Sequence, residues 1–157
     1  MSKKGSRVKG QGSSIVVRNL NKKFRLNEGF IKLLVVKILK ILKKPGNTKL
    51  EIIFLSDAKI RNLNKTFKKR DTATDVLSFN LGELGEVIIS TDTALKNSRI
   101  FETPFEKEVV LYIIHGILHL FGYEDGTSRQ RSRMSKKENS ILEKLCQKNL
   151  SKVLMLR

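Results

Sequence analysis

The chain has 157 residues, enough for one domain that folds around its own core without disulfides. Its 32 Lys+Arg against 15 Asp+Glu leave a formal net charge of +17, which argues against cationic partners and for a polyanion, above all nucleic acid. The single cysteine, Cys146, excludes a disulfide framework and a cysteine-based zinc site, and its helical surroundings mark it as a packing residue.

Residues 1–13 (MSKKGSRVKGQGS) are basic, glycine-rich and almost without apolar side chains, the composition of a disordered tail able to lie along a phosphate backbone. No apolar core followed by a small-residue cleavage site stands near the start, so a cytoplasmic protein is expected. One feature is shared with transit peptides: no acidic residue precedes Glu28. Ser14 to Arg18, with Ile15, Val16 and Val17, reads as a first strand. Residues 28–43 read as a helix stopping near Pro45-Gly46. Lys32, Lys37, Lys40 and Lys43 interrupt it, and it falls short of the roughly 20 apolar residues of a membrane span. It is expected to be a core helix with a basic outer edge, and no membrane partner is expected.

Leu50 to Leu55 is a second strand, and Asp57 to Phe67 a helix behind a Ser56 cap. Thr74 to Asn80 and Glu86 to Ser90 are two further strands around the turn residues Leu81 to Gly85, and Thr91 to Arg99 is a short helix. Thr103-Pro104-Phe105-Glu106 has the pattern of a capping box, with Thr103 as cap and Pro104 at the first helical position. The helix it opens should run to about Phe121 and end at Gly122. Residues 128–149 form a last, strongly charged amphipathic helix. The pattern predicts an α+β domain over residues 14–150, a small mixed sheet of about four strands flanked by helices, with residues 151–157 as a tail.

The only two histidines fall in HGILHLFGYED, His115 to Asp125. Four residues along a helix is about 40° past one full turn, with a rise of about 6 Å. His115 and His119 therefore project from one face and can share an ion. The helix is apolar on nearly every side, through Val109, Val110, Leu111, Ile113, Ile114, Ile117, Leu118, Leu120 and Phe121, so it should be buried and central. Buried imidazoles need partners, and a metal satisfies both together. Gly116 costs on the order of 1 kcal/mol in a helix against alanine, which suggests that a ligand or another backbone approaches there. Gly122 can turn the chain back, bringing Asp125 towards the histidines as a third ligand, with Glu124 as the alternative. His-x3-His-x2-Gly-x2-Asp has the spacing of a metzincin zinc site. A zinc peptidase, however, carries Glu directly after the first His as general base, and Gly116 stands there. What remains is a Lewis acid with an open position, and the basic balance makes a phosphodiester the fitting substrate.

These residues resemble the YbeY family of bacterial rRNA maturation factors, regarded as metal-dependent single-strand endoribonucleases. Its signature HGxLHLxGxDH is matched by His115, Gly116, Leu118, His119, Leu120 and Gly122. Upstream, Asn64, Phe67, Asp71, Thr74, Asp75, Val76, Leu77, Ser78 and Phe79 fit the family's N-x-x-[YF]-R-x-x-D-x-P-T-D-V-L-S-F segment, and Leu84 to Ser90 resembles LGDIxIS. The likeness spans roughly residues 14–146 with its motifs in order. It implies action on single-stranded RNA in 16S rRNA 3′-end maturation, ribosome biogenesis and ribosome quality control, with ribosomal subunits as partners. It also implies one divalent ion at His115, His119 and Asp125, zinc first and Ni(II) or Fe(II) as alternatives.

The sequence departs from the family at four of these positions. Asp125 stands where the family's third ligand is His, Glu124 where it has Asp, Lys68 where it has Arg, and Ala73 where it has Pro. A carboxylate beside two imidazoles is an ordinary zinc donor set, but its charge makes the ion a weaker Lewis acid. Lys68 keeps the charge and loses the bidentate fork. Lys68, Lys69 and Arg70 are the candidate phosphate contacts beside the metal, and His115 with Lys68 the candidate catalytic pair. Arg129, Arg131 and Arg133, crowded with Lys136 and Lys137 where positive charge opposes the helix dipole, are further RNA-binding candidates. Asp75 and Ser78 are expected to shape the cleft. Phe67, Phe79 and Tyr123 are the available stacking aromatics, each read first as core. The rival reading is a non-catalytic rRNA-binding assembly factor with a structural metal, motivated by the missing protein base.

Overall fold

A computed structural model describes residues 12–146 and 149–155. The expected basic tail therefore lies outside the described residues except for Gly12 and Ser13. Along the described chain run β1 (Ser14–Asn19), α1 (Glu28–Ile41), β2 (Lys49–Leu55), α2 (Asp57–Lys68), β3 (Val76–Leu81), β4 (Leu84–Ser90), α3 (Thr91–Ile100), α4 (Phe105–Leu120) and α5 (Ser128–Leu145). The strands form one mixed sheet in the order β1-β2-β4-β3. β1 pairs with β2 and β2 with β4 in parallel, and β3 pairs with β4 antiparallel. This is the α+β architecture with a four-stranded mixed sheet that the pattern predicts.

The two central strands are covered on both faces. Ile52, Phe54, Val87 and Ile89 face the main core with α1 and α4, while Ile53, Leu55 and Ile88 pack with Ile60 of α2 on the other side. Double burial is why LEIIFL and EVIIS read as unbroken apolar runs instead of alternating ones. α1 buries Ile31, Leu34, Val35, Ile38 and Leu39, one helical stripe, and leaves Lys32 and Lys40 exposed, as is Lys43 just past its end. Among the described residues no helix is long and apolar enough to cross a membrane.

α4 carries Val109, Val110, Ile113, Ile114, Ile117 and Leu118, all completely buried. Its start differs from the expected capping box. Pro104, with an extended ψ of 138°, is the cap, and no side chain caps the helix. Thr103 sits one residue before the cap position and donates its hydroxyl to the Glu108 carboxylate at 2.7 Å. The capping box forms instead at α5, between Thr127 and Gln130. α5 ends at Leu145, four residues before the expected end at 149, and Cys146 is exposed rather than packed. A single 3-10 turn at Leu150–Val153 then returns to the start of α1. Val153 is fully buried, its carbonyl accepts the Asn27 N–H at 2.7 Å, and the Met155 N–H donates to the Arg25 carbonyl. The segment 151–157, expected as a tail, thus begins as part of the core.

Candidate functional site

α4 brings the two histidines together. His115 and His119 each remain half-buried, with their Nε2 atoms 3.0 Å apart. Past Leu120 the chain turns through Gly122, whose φ of 89° is left-handed. The Gly122 N–H donates to the His119 carbonyl and the Tyr123 N–H to the Leu118 carbonyl, the paired bonds of a Schellman motif. The returning loop carries Asp125 Oδ2 to 3.4 Å from His119 Nε2 and 3.6 Å from His115 Nε2. Donors bound tetrahedrally at roughly 2.0–2.1 Å stand about 3.3–3.4 Å from one another, so this triangle fits one small divalent ion. The three residues are the group of His and carboxylate donors, among the described residues, close enough to share a metal. The Glu124 carboxylate, the alternative third donor, accepts instead from Gln130 Nε2 at 3.0 Å.

A further residue completes the site. His115 Nδ1 meets Glu138 Oε1 at 2.5 Å, across the packing of α4 against α5. With Nδ1 as the donor, the Nε2 lone pair faces His119 and Asp125, which is the tautomer a metal ligand needs. Burial pushes the His115 pKa down, but the Glu138 hydrogen bond and charge, with Asp75 and Asp125 nearby, outweigh it and raise it above the ordinary value. Glu138 is not among the site residues expected from the sequence. Its signal was present: α5 turns Met134, Ile141, Leu142 and Leu145 inward, and Glu138 lies on that same stripe. A carboxylate at an inward position needs a partner.

Gly116 marks a close approach, by side chains of the sheet. A Cβ there would stand 2.3 Å from Val87 Cγ1 and 3.1 Å from Val76 Cγ1. The Ser78 hydroxyl donates to the Gly116 carbonyl at 2.9 Å, pinning α4 to β3. Gly116→Ala should cost about 1–3 kcal/mol through overpacking, against roughly 1 kcal/mol of improved helix propensity. Chemical denaturation should therefore show a net loss of stability, and a gain would mean that Val87 yields without strain.

His119 lines a cleft of about 500 Å³ whose other lining residues include Lys68, Ser78, Asn80, Tyr123 and Glu124. Lys68 ends α2 and is exposed, its ammonium 5.9 Å from the Phe79 ring. Lys69 takes the left-handed conformation that terminates α2, and Lys69 and Arg70 are exposed beyond the cleft lining. Asn64, buried at 4 % exposure, donates to the Thr72 carbonyl, and Asp71 pairs with Arg61, so these motif residues hold the loop before β3. Asp75 accepts the Val76 N–H, and β3 begins at Val76, two residues after the expected Thr74. Phe67 is 61 % exposed, edge-on to half-buried Phe79, and so is not the core residue expected. On α5, Arg131 points its guanidinium at the Asp125 and Gly126 carbonyls and braces the loop, whereas Arg129 and Arg133 face a neighbouring groove.

The family model of endoribonuclease YbeY matches residues 16–146. The chain belongs to the YbeY family. An endoribonuclease YbeY of Desulforamulus reducens is 34% identical over 148 residues, covering 84% of this chain and 97% of the relative. That of Aquifex aeolicus is 41% identical over 108 residues, 64% of this chain and 72% of the relative. A solution structure of a Thermotoga maritima protein superposes with a TM-score of 0.60 at 30% identity, covering 85% of this chain and 88% of that one. The YbeY match takes in the whole of β2 to α5, and with it every side chain of the donor triangle, Glu138 and the Lys68 cleft.

Proposed function

We propose that this YbeY-family chain is a single-strand-specific, metal-dependent endoribonuclease of the cytoplasm. Its proposed role is 16S rRNA 3′-end maturation, with ribosome biogenesis and quality control, on rRNA and ribosomal subunits. The observation that carries this is the donor triangle of His115, His119 and Asp125, at 3.0–3.6 Å, with His119 shared with the cleft that Lys68 lines. Zinc suits the set, and Ni(II) or Fe(II) would also be accepted by two imidazoles and a carboxylate. When bound, such an ion supplies a Lewis acid for the phosphoryl oxygen and a water of lowered pKa.

The chain's own residues do the rest. His115 and His119 offer Nε2 and Asp125 an oxygen, and Glu138 holds His115 in the donor orientation. Lys68 brings a positive charge to the cleft, where it neutralises charge that develops on the phosphate in the transition state. Lys69, Arg70, Arg129, Arg131 and Arg133 supply the surrounding positive field. Gly116 leaves no carboxylate where a peptidase carries its base, which favours a phosphodiester over a peptide.

The test pairs metal content by mass spectrometry with cleavage of single-stranded rRNA fragments, with and without chelator, in the native chain and Asp125→Asn. Near-stoichiometric metal and cleavage lost in chelator are expected, with both reduced in the variant. Metal retained without any cleavage would replace this reading with an rRNA-binding assembly role. A chain that binds no metal would overturn the site altogether.

A further inference from the structure

A second groove, of about 790 Å³, runs along one face of α5 beside the donor triangle. Arg129, Arg133, Lys136 and Lys137 line it together with Tyr123 and three serines. Their spacing repeats at three and four residues, so the cations form one helical stripe about 12 Å long. Among the described residues none of these four cations pairs with a carboxylate, whereas Arg61 and Lys65 share Asp71. Arg129, Arg133 and Lys136 are exposed and Lys137 half-buried. Positive charge over the first turns of a helix opposes its dipole, so the stripe is not there to stabilise α5.

Tyr123 lines both this groove and the cleft of His119 and Lys68, so the two adjoin at its side chain. The Arg133 guanidinium lies 5.3 Å from the Tyr123 ring centre, a cation–π contact that fixes it at the junction. That contact takes a face of Tyr123 and leaves Arg133 the better candidate for meeting the ligand. Unpaired cations with interleaved hydroxyl donors, and a single aromatic ring among them with one face already taken, suit a phosphate backbone rather than bases.

We infer that the α5 groove is the track for the single-stranded RNA flanking the scissile phosphate, gripping its backbone through Arg129, Arg133, Lys136 and Lys137. This rests on the nuclease reading only for the identity of the strand's other end. Arg131, turned to the Asp125 loop, is excluded from the track.

The experiment is equilibrium binding of a single-stranded RNA to the full chain in chelator, across a series of salt concentrations. The variant is R129Q/R133Q/K136Q/K137Q. The control removes the same charge from the outer edge of α1, as K32Q/K37Q/K40Q/K43Q. Each lost phosphate contact should flatten the slope of log K against log salt by about 0.7, approaching 3 for four contacts, with affinity down about 10²–10³-fold at 0.1 M salt. The α1 control should keep a slope close to that of the native chain. Equal slopes for the two variants would overturn the track. So would an α5 variant that binds RNA normally and loses only anionic phosphatidylglycerol vesicles. Because chelator removes cleavage from the measurement, the two readings fail separately. A flattened slope in a chain that never cleaves RNA sinks the nuclease and keeps the track. Cleavage in metal with an unchanged slope does the reverse.

Discussion

His119→Ala should lower RNA cleavage by about 10³-fold, the effect of forfeiting roughly 4 kcal/mol of metal-derived transition-state stabilisation, and should leave the purified protein nearly free of metal. His119 is the sharper probe of the two histidines. Its imidazole Nε2 contacts His115 and Asp125, and its removal strands no other buried group. His115→Ala would in addition leave the Glu138 carboxylate, 14 % exposed, without its partner, and would mix lost metal with lost stability. The His119 side chain is half-buried, so a thermal melt of the variant should still show a folded domain. A folded His119→Ala protein that keeps both stoichiometric metal and native cleavage would remove the triangle from the mechanism. One that loses metal and keeps cleavage would make the ion structural.

The elements of this fold were legible where their signal is local. The stripe Ile31, Leu34, Val35, Ile38, Leu39 sets α1, the Ser56 side chain caps α2, and the unbroken apolar runs set the doubly covered strands. The strand order was not legible. That β4 inserts between β2 and β3 depends on which edges meet, and neither LEIIFL nor EVIIS encodes its neighbour. The same limit moved the capping box. Thr103 has the right residue type three positions before Glu106, yet the folded turn aims its hydroxyl at Glu108 and puts Pro104 at the cap position. Val153 gave no periodicity to read, since a four-residue 3-10 turn is too short to show one.

The site divides in the same way. His115 and His119 follow from helical geometry, and Asp125 from a glycine that must turn the chain, so all three lie within one short stretch of sequence. The opposite roles of Arg131 and Arg133 are two residues apart and were indistinguishable by composition. Only the facing of α5 sends one guanidinium to the Asp125 loop and the other to the groove. Glu138 stands 23 residues from His115, and their meeting requires α5 to pack on α4.

That contact carries the second large effect. Glu138→Ala should weaken metal binding by about 10–100-fold, the usual consequence of removing the carboxylate that orients a ligating imidazole. Glu138→Gln should lie between, because its amide oxygen can still accept the His115 Nδ1–H while the charge is gone. A second readout separates this role from mere packing. Burial lowers the His115 pKa, but Glu138, Asp75 and Asp125 raise it above 6.5 in the folded chain. In metal-free protein the protonated imidazole therefore contributes stability that is fully present below pH 6.5 and is lost as pH rises through the folded value. Without the Glu138 charge, burial weighs more heavily and that contribution shrinks. The stability gap between the metal-free native chain and Glu138→Gln should thus be widest at acid pH and narrow towards neutral and alkaline pH. A gap that is flat with pH, joined to native metal affinity in both variants, would leave Glu138 as a packing residue and return the orientation of His115 to its own helix.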